Sequence, residues 1–261
     1  MFDRLTGFLG RKLSGFLMKE IRGCEHCTTN SAAALRAVIR PGDVLLVEGN
    51  ARVSTAIKYL TQSTWSHAAL YTGPIAGRAT ESGEPHVLVE ANLGSGVTSA
   101  PLSIYSHTHV RICRPTKLRD EDRDRVVSFA IDRIGIDYDL RNIIDLARYL
   151  LPTPPVPTRW RRRMLAMGSG LPTRVICSTL IAQAFEAVRY PILPRIETLD
   201  SNPSAMLLAA EILHIRHHSL YTPRDFDLSP YFATIKPTLE LGFDYRDAIW
   251  AEEPKMAEAA A

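Results

Sequence analysis

Cysteine is scarce in this chain, net charge is small, and long apolar runs are missing. Four cysteines among 261 residues cannot staple a chain of this size, so a disulfide-built secreted scaffold is excluded. Lys and Arg number 31 against 28 Asp and Glu, and the resulting net charge of +3 supplies no basic field that would call for a nucleic-acid partner. No stretch of about 18 apolar residues occurs, so no transmembrane helix is expected. What the chain does hold is core material. With 46% hydrophobic and 23% charged residues it is neither disordered nor collagen-like, and it can build one large domain, or one domain with additions.

The first addition spans residues 1–25. Phe2, Leu5, Leu9, Phe16, Leu17 and Ile21 fall on one helical stripe, and Arg4, Arg11, Lys12, Lys19 and Arg22 on the other face. Charges break any secretory apolar core, and no small-residue cleavage site follows. Such a basic amphipathic helix, residues 2–22, either docks on its own domain or lies in a membrane surface as a peripheral contact. The expected compartment is the cytoplasm, with the membrane surface as its border.

The body of the chain, residues 26–240, reads as α+β. A short helix at 31–39 precedes a Pro41-Gly42 turn and a buried strand at 44–47. A helix at 52–61 follows, then strands at 66–73 and 86–92, a short one near Val97 and another at 109–113. Helices are expected at 120–134 and 139–150. Residues 151–173 carry Pro152, Pro154, Pro155, Pro157 and Pro172 around Arg159, Arg161, Arg162 and Arg163, and read as an exposed loop inserted before a helix that begins near Arg174. Residues 190–203 read as another Pro-rich stretch, and 241–261 as a C-terminal tail. The architecture expected is a small antiparallel sheet or partial barrel packed against helices.

Chemistry concentrates at three positions. Cys177 opens the helix after 174, where free backbone N–H groups and the helix dipole favour an anion and therefore a thiolate. A nucleophilic cysteine needs a base, and His67 in TWSHAALYTG stands among small residues, sharing one strand face with Ala69 and Tyr71. Glu90 ends the apolar run HVLVEAN, where a carboxylate is out of place unless paired. If the two strands are neighbours, Glu90 lies opposite His67 and fixes its tautomer. Taken singly, each has a plainer reading: a small buried thiol, a satisfied core histidine, and a strand-end carboxylate turned to water.

Taken in order, PGDVLLVEG, TWSHAALYTG, VLVEAN, a Tyr-Asp step and ICSTLIAQAF resemble the circularly permuted, papain-like branch of the NlpC-type cysteine peptidase superfamily, in particular its YiiX/YebB-like group. The resemblance spans roughly residues 40 to 190. In that branch the histidine strand precedes the cysteine helix, the reverse of papain. The resemblance implies Cys177 as nucleophile, His67 as base and Glu90 as the orienting residue. It places Tyr138 and Asp139 at the Tyr-Asp step, with Tyr138 lining the pocket. Ser66 and Ser178, beside the base and the nucleophile, are expected on the substrate side with them. The insertion at 151–173 departs from the pattern. A more distant likeness is to the lecithin:retinol acyltransferase family, which shares the permuted order and handles acyl chains of lipids.

The expectation is therefore a cysteine hydrolase or acyltransferase acting on an amide, ester or thioester carbonyl, with a small-molecule, lipid or peptide substrate and no cofactor. A lipid or other acyl compound leads, and peptides of the cell-wall type are the rival substrate. The rival from another class is a non-catalytic lipid-binding or membrane-associating module. Cys24 and Cys27 sit at metal-hook spacing in CEHC, but no second pair completes a zinc site, so no metal is expected. His214, His217 and His218 read as solvated histidines of an amphipathic segment, and Ser178 as a helix-start cap. The arginines at 159–163 face either anionic headgroups or water.

Overall fold

The computed structural model describes residues 19, 31–92, 95–136, 176–198, 211–214 and 218–247. The expected helices at 2–22 and 139–150, the loop at 151–173 and the end of the 241–261 tail lie outside these residues. So do Cys24, Cys27, Tyr138, Asp139, His217 and the arginines of 159–163.

Seven elements build the first half. They are α1 (Ala32–Val38), β1 (Val44–Val47), α2 (Arg52–Thr61), β2 (His67–Tyr71), β3 (Leu88–Asn92), β4 (Gly96–Ala100) and β5 (Val110–Pro115). Then come α3 (Asp120–Ile131), α4 (described from Ile176 to Ala187), β6 (Arg195–Thr198), β7 (Glu211–His214), α5 (Pro223–Leu228), β8 (Phe232–Ile235) and α6 (Pro237–Glu240). No described helix is long and apolar enough to cross a membrane.

Six strands form one open antiparallel sheet in the order β4-β3-β2-β1-β5-β8. Its central strands are covered on both faces, which is why β1 reads VLLV with every residue buried rather than alternating. One layer joins Val44, Leu46, Ala68, Leu70, Val89 and Ala91 to the α3 and α4 side chains Val126, Ala130, Leu180, Ile181, Ala184 and Phe185. The other joins Leu45, Val47, Ala69, Leu88 and Ile112 to Leu35 and Val38 of α1. A one-residue slip would exchange the two layers, so these side chains fix the register.

Local chemistry sets the element ends. Ser31 caps α1 by accepting the Ala34 N–H at 3.1 Å. Asp120, Glu121 and Asp122 fill the first turn of α3, where the helix dipole favours anions. The turn before β1 needs Gly42, which adopts φ +88°. Its N–H bonds the Tyr71 carbonyl at 2.8 Å and ties the start of β1 to the end of β2. Next to it, Asp43 is buried and takes the Arg114 guanidinium bidentately, at 2.9 and 2.8 Å, with the Arg40 N–H at 2.8 Å.

Three expectations need correction. The helix expected at 120–134 ends at Ile131, and Arg133 and Ile134 turn back through short-range bonds to Ala130 and Ile131. Residues 195–198, read as part of a Pro-rich stretch, and 211–214, read as an amphipathic segment with solvated histidines, instead pair as an antiparallel β6-β7 ribbon. Residues 232–235 add the edge strand β8, for which no strand was expected.

Candidate active site

The site lies where the first turn of α4 meets the beginning of β2. Residue alternation in β2 sends Ala68 and Leu70 into the α4 layer and leaves His67 on the face of Ala69 and Tyr71. In β3 the same alternation puts Glu90 on the face of Leu88, which it shares with Asn92. The pairing differs from the one expected. Leu70 faces Val89 and Tyr71 faces Leu88, a register that sets Glu90 across from Ala69, not His67. The carboxylate instead crosses the ladder diagonally, a span that a side chain as long as glutamate covers. Its Oε2 lies 2.9 Å from His67 Nε2. The α4 helix packs across β2 and β3 and brings the Cys177 thiol near enough to the same ring for its charge to act on it. With Nε2 engaged by Glu90, Nδ1 is the nitrogen left for sulfur.

Burial and charge act against each other on this pair. His67 is only 18% exposed and Glu90 6%, and burial disfavours the charged form of each. For His67 that effect is overcome by the charge of Cys177 and then by Glu90, and its pKa is raised to about 10. For Glu90, burial is overcome by the hydrogen bond and charge of His67 and by bonds from Tyr105 and Asn92, and its pKa falls to about 2. The ring is therefore a proton carrier that keeps its proton at neutral pH, braced by an ionised carboxylate.

Two members of this network were not foreseen. Tyr105 donates its hydroxyl to Glu90 Oε2, and Asn92 Nδ2 donates to Oε1 at 2.8 Å. Asn92 was within reach of sequence reasoning, because it lies two residues from Glu90 and so shares its strand face. Tyr105 ends a 3-10 turn, Leu102–Tyr105, and no periodicity marks it.

Other expected residues have different places. Ser66 is buried; its hydroxyl accepts the Gly49 N–H at 2.9 Å and lies 3.5 Å from the Val47 carbonyl. Ser178 lies near the described start of α4, fully buried, and donates to the Tyr221 carbonyl at 2.9 Å. Cys113 is buried, and burial raises its thiol well above the ordinary value, which suits a core residue. His218 bonds Glu186 at 3.1 Å. Among the described residues no group of three or more His, Cys, Asp or Glu could hold a metal ion. Immediately before His67, Trp65 is held by Asp227, which accepts its indole N–H at 3.0 Å, while Arg111 lies 5.0 Å above the ring and itself bonds Asp227 at 2.6 Å.

Residues 38–149 match the family of permuted papain-like amidase enzymes of the YaeF/YiiX type, the C92 family. The matched segment contains His67 and Glu90 and ends before Cys177. Among solved structures the chain is similar to one described as the metalloprotein YiiX from Escherichia coli O157:H7. That likeness has a TM-score of 0.43 and 16% identity, and it covers 76% of this chain and 96% of the other. No curated protein matches the chain.

Proposed function

We propose that this protein is a cysteine amidase and that Cys177, His67 and Glu90 form its catalytic triad. What supports the reading is one arrangement: a single imidazole held between a thiol on α4 and a carboxylate on β3. The thiolate of Cys177 attacks the carbonyl carbon of an amide and a C–S bond forms. The tetrahedral oxyanion collapses, the C–N bond breaks, and the His67 imidazolium gives its proton to the departing nitrogen. His67, now neutral, takes a proton from water, whose oxygen attacks the thioester; the acid leaves and the thiol is restored. Glu90 holds the ring in the tautomer that presents its other nitrogen to sulfur and stabilises the imidazolium. The Cys177 backbone N–H, at the helix start, faces the developing oxyanion.

The same chemistry serves an ester or thioester, with an alcohol or amine in place of water as acceptor. The finer reading, that the acyl donor is borne on a lipid, is supported by the amphipathic pattern of residues 2–22 and by the arginines at 159–163. Iodoacetamide labelling near neutral pH, read residue by residue by mass spectrometry, tests the triad. Cys177 is expected to label much faster than buried Cys113, and His67→Ala to abolish the difference. Equal, slow labelling of both cysteines in the parent removes the proposal.

A further inference from the structure

Glu90 receives more donors than orienting a histidine requires. Its Oε2 takes both the His67 Nε2–H and the Tyr105 hydroxyl, and its Oε1 takes Asn92 Nδ2. A carboxylate only accepts, so the Asn92 amide must turn its nitrogen to Glu90; the same nitrogen donates to the Thr98 hydroxyl of β4 at 3.3 Å. The two donors come from separate elements. Asn92 is on β3 itself, whereas Tyr105 is delivered by the turn after β4. That turn is anchored by buried Leu102, by the Ser103 hydroxyl on Glu84 and by the Thr108 N–H on the Tyr105 carbonyl at 3.2 Å. The tyrosine ring also stands beside the imidazole, with centroids 6.3 Å apart and planes tilted by 44°.

We infer that Tyr105 and Asn92 are positioning residues of this site, a two-point clamp that turns one carboxylate oxygen of Glu90 onto His67 and keeps it there. The inference rests on the triad reading above. A carboxylate bonded at one oxygen alone is free to swing about its terminal torsion, and the ring it braces then wanders with it. With Tyr105 on the same oxygen as His67 and Asn92 on the other, the plane of the carboxylate is defined and the imidazole inherits that orientation. Tyr105 is a dependable donor, because burial and the adjacent Glu90 raise its phenol well above the ordinary value. The charged and titratable groups facing Glu90 are thus His67 from β2 and Tyr105 from the turn, with Cys177 of α4 behind the ring.

A double-mutant cycle read by the rate of Cys177 alkylation with iodoacetamide tests the clamp. Tyr105→Phe and Asn92→Ala are each expected to slow alkylation about fivefold, the worth of one ordinary hydrogen bond. In a Glu90→Gln background neither is expected to slow it further, because each acts only through Glu90. A loss of equal size in the Glu90→Gln background marks a general packing effect and overturns the clamp. Parent-like rates in both single variants overturn it too, and leave the triad standing. Parent Cys177 labelling no faster than Cys113 defeats the triad itself. Asn92→Ala alters only a partly buried side chain at a strand end, so it carries the test if Tyr105→Phe folds poorly.

Discussion

Asp43 and Glu90 are both buried carboxylates, 1% and 5% exposed, and both serve the same sheet. Their surroundings differ in kind. Asp43 meets a guanidinium with no proton to exchange, and that guanidinium also bonds the Val38 carbonyl at 2.7 Å, so the group rivets the end of α1, the start of β1 and the strand β5. Glu90 meets a ring that titrates, and behind the ring stands a thiol. At Asp43 burial prevails and the carboxyl lies above its ordinary value despite Arg114; at Glu90 the partners prevail and it falls to about 2. Similar burial thus accompanies a structural fastening in one place and, on the proposed reading, a proton relay in the other, and the partner decides which.

The comparison can be broken by exchanging the consequences. Glu90→Gln is expected to lower kcat/KM on an amide reporter on the order of 10^3-fold, because a misoriented ring cannot serve as base. If the melting temperature collapses and the activity of the remaining folded protein persists, the two carboxylates are alike. Arg114→Met should do the reverse. It strands the Asp43 charge and is expected to cost about 3 kcal/mol in urea unfolding, with Cys177 alkylation of the folded protein unchanged.

A smaller effect sharpens the contrast through pH. Glu90 titrates at about 2 when folded against an ordinary value of 4.5. Below 4.5 the unfolded chain takes up a proton that the folded chain refuses, so the stability due to Glu90 is complete above that value and lost as pH falls through 2. His67 works in the opposite sense. Raised from 6.5 to about 10, its contribution is complete below 6.5 and lost as pH rises through 10. Cys177 is the foremost of the groups that raise it, so in Cys177→Ser the NMR titration of His67 should move down toward 6.5. A ring that still titrates near 10 in that variant would mean that Glu90 alone holds the proton.

What the sequence disclosed followed local rules, and what it hid was tertiary. Strands β1, β2 and β3 announce themselves by apolar runs between turn residues, and the face shared by His67, Ala69 and Tyr71 follows from period two alone. The register between β2 and β3 does not, because both strands are buried on both faces and several alignments satisfy their patterns. Phe232–Ile235 is too short and mixed to declare itself; it is a strand because β5 presents an unpaired edge. Asn92 obeyed the same alternation as Glu90 and went unread, whereas Tyr105 reaches the carboxylate only because the turn after β4 folds back over the sheet.

The order of elements along the chain has a consequence for biosynthesis. Ribosomes emit β2 and β3 long before α4, so a growing polypeptide owns its imidazole and carboxylate well ahead of the proposed sulfur nucleophile. Reactivity is thereby deferred until the late helix docks, and a nascent fragment that stops short of it is chemically silent.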